Sequence, residues 1–242
     1  MSSQRRRPLK VGVFIWLFEG FMNGRTATWT DIAAMALKAE ELGFDSIWLP
    51  DHFLIRDDPG EETVGVWECT TMLSALAAAT SRVELGTLVM CSGIRNPAVL
   101  AKMADTIDEI SSGRLILGLG AGHHDPEYHA FGYPTDHRYS RFAEAIQIIH
   151  GLLRDGSIDF DGTYYQAREC ELRPRGPRAS GAPILIGTRG PNMLRLTARY
   201  ADLWNAFLLG GRSLPKDLEP AMGQHDAACK ELGRDPSTLG RT

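Results

Sequence analysis

The chain has 242 residues, of which 43% are hydrophobic and 23% charged, an ordinary composition for a globular fold of one large domain or two small ones. Its formal net charge of -4 argues against nucleic acid as the main partner, and its one basic cluster, Arg5-Arg6-Arg7, reads as a solvated leader. Four scattered cysteines without a CxxC pair argue against a disulfide framework or a zinc site. No apolar run approaches the roughly 18 residues that cross a bilayer, and no signal-peptide core precedes Pro8, so a cytoplasmic protein without a membrane partner is expected.

Short β-branched apolar runs alternate with amphipathic helical stretches. The first strand is expected over 9–15, and a helix follows with Thr28 or Thr30 as its N-cap. Ile32, Met35, Ala36, Ala39 and Leu42 recur on one face of that helix, and Gly43 stops it. A second strand, 46–49, runs into Pro50-Asp51-His52. A helix over 67–79, a third strand over 83–90 and a helix from Pro97 to about Ile110 come next, proline being a good first helical residue. The fourth strand is 115–120, and a long helix runs from about Tyr139 to Leu153. A fifth strand, 183–186, is followed by a helix over 192–200 and by a sixth strand opening at Asp202-Leu203-Trp204.

Such alternation implies a parallel sheet, because parallel strands need crossover helices. The rhythm breaks near 155–178, where Asp161-Gly162 between aromatic residues predicts a hairpin inserted in the barrel. After a helix over 215–232, Arg241-Thr242 falls where a seventh strand would begin. The expectation is one domain over 1–242, an α/β fold of the (β/α)8 TIM-barrel type with six countable strands and its closing strands missing or supplied otherwise. An α/β barrel needs about 250 residues.

In parallel α/β folds the ligand lies beyond the carboxyl ends of the strands, and polar and glycine residues concentrate there. After the fifth strand, Gly187-Thr188-Arg189-Gly190 leads into a helix opened by Pro191, a pattern that offers free N–H groups and a helix dipole to a phosphate. The plain alternative is a tight turn that needs glycine for geometry alone. Gly118-x-Gly120-x-Gly122 lacks the GxGxxG spacing and acidic partner of a dinucleotide fingerprint. Its glycines are better read as letting a flat ring lie close to the backbone. His123, His124, Asp125, Glu127 and His129 match no familiar metal-ligand spacing, and no metal is expected. His52, beside Asp51 at a strand end, is a candidate proton donor or polar anchor, or else a structural histidine. Trp16, Trp67 and Trp204 are candidate apolar walls, or core residues.

At these strand ends the chain resembles the bacterial luciferase-like superfamily, specifically its coenzyme F-420-dependent oxidoreductases. The resemblance runs from about Leu9 to Phe207. It rests on Leu-Pro-Asp-His-Phe at 49–53, on Leu85-Gly86-Thr87-Leu88-Val89 leading to Arg95-Asn96-Pro97-Ala98, and on Gly113-Arg114-Leu115 through Gly122. Pro126-Glu127-Tyr128, Phe131-Gly132, 183–187 and 199–205 complete it.

The resemblance implies a non-proline cis peptide at Leu88–Val89 behind the central ring of the cofactor, with Cys91 touching the ring just beyond it. It also implies Asp51 and His52 at the ring edge, and Gly120, Ala121, Gly122 and His123 along the ring or ribityl chain. Gly187, Thr188, Arg189 and Gly190 would form the phosphate turn. Some relatives carry a glutamate acid where this chain has His123, which leaves the proton donor open between His52 and His123. The function implied is hydride transfer between the deazaflavin F-420 and a small organic substrate. An FMN-dependent luciferase-like monooxygenase is the alternative within enzymes, and a non-catalytic barrel relative that binds a partner is the alternative outside them. The resemblance allows a homodimer.

Overall fold

The computed structural model describes residues 9–56, 60–206, 216 and 218–242. Its elements in chain order begin with β1 (Gly12–Phe14), α1 (Trp29–Glu41) and β2 (Ser46–Leu49). A small hairpin of β3 (Leu54–Ile55) and β4 (Val64–Gly65) follows, then α2 (Cys69–Ala79), β5 (Glu84–Thr87), β6 (Met90–Cys91) and α3 (Pro97–Ile110). Next come β7 (Leu115–Gly120), α4 (Asp125–Phe131), α5 (Arg138–Asp155) and the hairpin β8 (Ser157–Asp161) and β9 (Gln166–Glu171). The remainder is β10 (Ile184–Gly187), α6 (Pro191–Tyr200), β11 (Leu203–Asn205), α7 (Glu219–Glu231) and β12 (Gly240–Arg241).

One curled sheet runs in the order β1-β2-β5-β7-β10-β11-β12, with β6 prolonging the β5 position against β7, and every pairing in it is parallel. This is the (β/α)8 type of sheet, and it holds seven strand positions, one more than the sequence pattern counted. The extra strand is Gly240–Arg241, too short to read by periodicity. All six residues of β7 are buried, as befits a central parallel strand covered on both faces.

Local chemistry sets the helix ends. Thr28 and Asp31 form a reciprocal capping box on α1, and Asn96 accepts the N–H groups of Ala98 and Val99 ahead of Pro97 on α3. The helix expected from Trp67 starts two residues later, because the Glu68 carboxylate caps it through the N–H groups of Thr70 and Thr71.

The strand expected over 83–90 is broken. The Leu88–Val89 peptide is cis, and pairing resumes one residue out of step. Three residues (87–89) stand against two (117–118) between Gly86↔Ile116 and Met90↔Leu119. The bulge is held by Thr87, whose hydroxyl donates to Gly118 O at 2.7 Å and accepts Gly118 N–H at 3.0 Å. It also explains the glycines. A Cβ at Gly118 would lie 1.9 Å from Thr87 O, one at Gly120 2.7 Å from a Val89 methyl, and one at Gly187 2.8 Å from the other methyl. The position that a Cβ would take at Gly118 and Gly120 is filled by the chain itself, with Val89 seated between two strands. Gly120→Ala is therefore expected to cost about 1–3 kcal/mol through overpacking. Adding Val89→Ala should recover part of that loss in a urea-denaturation cycle, and strict additivity would refute the contact as the cause.

Candidate active site

A cavity of about 620 Å³ opens at the carboxyl ends of the parallel strands. Phe14, Trp16 and Phe18 reach it from β1, and Pro50, Asp51 and His52 from β2. Leu88, Val89 and Cys91 come from the bulge, and Gly120, Gly122 and His123 from β7. Glu127 of α4, Gly187, Thr188 and Arg189 after β10, and Asn205 of β11 complete the wall. Of the residues that the family resemblance assigns to the site, Ala121 and Gly190 are absent from that lining. Ala121 contributes a carbonyl that accepts the Tyr128 hydroxyl at 3.1 Å.

Asp51 does not present its carboxylate to the cavity. The side chain is 0% exposed, and both oxygens are bound to Arg95, at 2.6 and 2.8 Å, while the N–H of Cys91 donates to one of them at 2.8 Å. Arg95 also donates to Glu68 at 2.8 Å and lies over the Phe53 ring. The expected ring-edge acid is thus the clasp that ties the end of β2 to the residue after the bulge. Burial opposes ionisation of Glu68, but hydrogen bonds from Thr71, Thr70 and Arg95 outweigh it and hold its carboxyl down at about 2, from 4.5. A depressed carboxyl stabilises the fold fully above about pH 4.5, and that contribution is lost as pH falls toward 2. Glu68→Gln should flatten the acid limb of stability in that window. Parallel urea-midpoint curves for the two proteins would contradict it.

Cys91 lies under Tyr128, its sulfur 2.9 Å from the phenol oxygen. Burial pushes the Cys91 thiol up, so it meets the cavity as a neutral group, and burial raises the Tyr128 phenol too. Gly122 has φ +79°, and a Cβ there would strike Tyr128 and Cys91.

His52 and His123 share the cavity, with ring centroids 5.5 Å apart and planes nearly perpendicular. The His123 imidazole, partly enclosed although the residue reaches the surface, is held below its usual range first by burial and then by His52 and His124. His124 accepts the N–H of Arg56. Among the described residues no three histidine, cysteine or acidic side chains converge as a metal site.

Glu127, named in the sequence only in a rejected metal set and in a family motif, is the residue whose contact with the site was least visible there. It sits on α4, whose seven residues are too few for periodicity, although Pro126 in the first turn and Gly132 at φ +76° after the last mark its limits. Glu127 reaches His52 Nδ1 at 3.1 Å and the N–H of Phe53 at 2.9 Å.

At the turn after β10, the N–H of Thr188 is spent on Asn205 O, and its hydroxyl accepts the N–H of Gly190 at 3.2 Å. No side chain caps α6, unlike α1, α2 and α3. Arg189 is exposed and has no hydrogen bond or ion pair among the described residues. A Cβ at Gly190 would meet nothing within 4 Å. Trp16 alone of the three candidate tryptophans lines the cavity. Trp67 donates to Ala27 O, and the Trp204 indole is buried, stacked on His225 and bonded to Thr188 O.

The family model described as luciferase-like monooxygenase matches residues 9–241. The chain belongs to that family. It is 34% identical over 212 residues to an F-420-dependent glucose-6-phosphate dehydrogenase from Amycolatopsis mediterranei, covering 85% of this chain and 62% of that protein. It is 33% identical over 250 residues to the pyrimidine monooxygenase RutA of Rhizobium rhizogenes, covering 96% of this chain and 66% of that one. Among solved structures, the coenzyme F-420-dependent tetrahydromethanopterin reductase of Methanopyrus kandleri superposes with a TM-score of 0.77 at 23% identity, covering 96% of this chain and 64% of that chain. The chain therefore spans less than two thirds of the length of these relatives. No helix among the described residues is long and apolar enough to cross a membrane.

Proposed function

We propose that the protein is an oxidoreductase that moves a hydride between the deazaflavin F-420 and a small organic substrate held over the bulge at Leu88–Val89. The observation that carries this reading is a pair of imidazoles, His52 and His123, in a cavity that is also lined by Gly187, Thr188 and Arg189 of the turn leading to α6, a helix without a side-chain cap. The volume of about 620 Å³ suits a small-molecule site. The turn and helix fit a phosphorylated ring cofactor: α6 opens without a side-chain cap, a Cβ at Gly190 would meet nothing within 4 Å, and Arg189 adds a charge. When bound, such a coenzyme supplies the hydride chemistry. The chain's own residues orient the substrate, exclude water through the aromatic wall of Phe14, Trp16 and Phe18, and hold a proton at an imidazole nitrogen.

Similarity to a pyrimidine monooxygenase supports a second reading, an FMN-dependent monooxygenase. Titrating the purified protein separately with F-420 and with FMN, followed by absorbance, tells the two apart. Tight F-420 binding with weak FMN binding is expected, and the reverse order overturns the first reading. Binding of neither would favour a non-catalytic barrel relative.

A further inference from the structure

Glu127 is 1% exposed, and its two oxygens are both spent on the segment that leaves β2. A buried carboxylate is costly unless its oxygens are hydrogen-bonded, and the Phe53 N–H serves only one of them. The other faces His52 Nδ1 at 3.1 Å. A carboxylate can only accept, so Nδ1 carries the hydrogen and Nε2 holds the lone pair of the neutral ring. Nε2 has no partner among the described residues, and the His52 side chain, 17% exposed, lines the cavity.

Among the described residues, Glu127 is the one acid bonded to the His52 ring. The rings of His123 and His124 stand edge-on at 5.5 and 5.9 Å and oppose a second positive charge. Phe18 contributes only an aromatic face. The Asp51 carboxylate, though next in the chain, is committed to Arg95, and Arg138 of α5 bears on His123.

The geometry points to Glu127 as a positioning residue that fixes the tautomer of His52 and makes Nε2 the atom exchanging a proton with substrate, an assignment that rests on the hydride-transfer reading above. As substrate is oxidised, its carbon–hydrogen bond breaks and the electron pair leaves as hydride to the deazaflavin. The proton of the adjoining heteroatom passes to Nε2, and the imidazolium so formed is balanced by Glu127. In the reverse direction Nε2–H returns the proton as hydride arrives at carbon.

Glu127→Gln isolates this role. The glutamine oxygen keeps the Phe53 N–H, while its amide offers a donor to Nδ1 and so reverses the tautomer. In nitrogen-15 spectra of histidine-labelled protein without coenzyme, His52 is expected as the Nδ1–H form in the wild type and as the Nε2–H form in E127Q. Turnover should fall on the order of 100-fold, in the range a positioned proton-transfer group contributes, with KM little changed and the pH profile displaced. Glu127→Asp should restore part of the wild-type profile. An unchanged His52 spectrum in E127Q overturns the proposal, as does lost stability and raised KM with an unmoved pH profile. Failure of the wild type to bind F-420 would instead sink the hydride-transfer reading, and the tautomer measurement, made without coenzyme, keeps the two failures apart.

Discussion

Asp51→Ala should destabilise the protein by about 3–5 kcal/mol, the cost of leaving one member of a buried ion pair without its partner. Arg95 is 8% exposed in its side chain, so the substitution strands a guanidinium with Glu68 as its one remaining acid. It also removes the acceptor of the Cys91 N–H, a buried donor that adds its own desolvation penalty. Arg95→Met should cost a comparable amount, because it leaves the Asp51 carboxylate buried with one N–H. The double variant Asp51→Ala with Arg95→Met should lose much less than the sum, since no uncompensated charge remains. Urea denaturation of the three variants measures this, and a cost for Asp51→Ala below about 1 kcal/mol, the scale of an exposed pair, would show that the clasp does not act as a buried pair. Coenzyme affinity should fall with stability in both single variants, because Asp51 holds the residue that follows the bulge.

The clasp also shows where the sequence stops being legible. Pro97 announced α3 and a six-residue apolar run announced β7, because helix starts and buried strands are decided by neighbours in the chain. Asp51 and Arg95 are 44 positions apart, and nothing local says that one faces the other. Next to a histidine, the aspartate reads as site chemistry when its carboxylate is structural. By periodicity alone Leu88-Val89-Met90 reads as unbroken strand, because an extra residue in a ladder leaves the apolar pattern unchanged while shifting its register; it was the family resemblance that placed the cis peptide at Leu88–Val89, where the structure has it. The glycines at 118 and 120 were visible, but their cause lay in the bulge on the neighbouring strand, the Thr87 carbonyl at Gly118 and the Val89 side chain at Gly120. The turn at Gly187–Gly190 was the most legible feature of the site, since the signal, glycine and proline between strand and helix, is itself the local geometry. Glu127 was least legible, because its role depends on a seven-residue helix carrying it to a strand end 75 positions earlier.

Gly190→Glu should abolish coenzyme binding while leaving the fold intact, and the reasons are separable. Gly190 has φ -79°, open to any residue, and an added Cβ meets nothing within 4 Å, so neither backbone nor packing resists the side chain. What changes is the charge at the mouth of α6. A helix N-terminus carries roughly half a positive charge, which a phosphate would share with Arg189. A carboxylate at 190 neutralises both and repels the anion, while its side chain occupies the open space. Loss of even two charge-assisted hydrogen bonds, at about 1.5–3 kcal/mol each, weakens binding by at least about 100-fold. Gly190→Ala, which adds bulk without charge, should bind close to normally. Arg189→Gln should give an intermediate loss that shrinks as salt is raised, since an exposed charge is screened. Equal affinity of the wild type and the glutamate variant, with no loss of stability, would remove the phosphate from this turn. The helix dipole itself should still be measurable in that event, because a glutamate at the mouth of α6 would then stabilise the helix by about 0.3–1 kcal/mol.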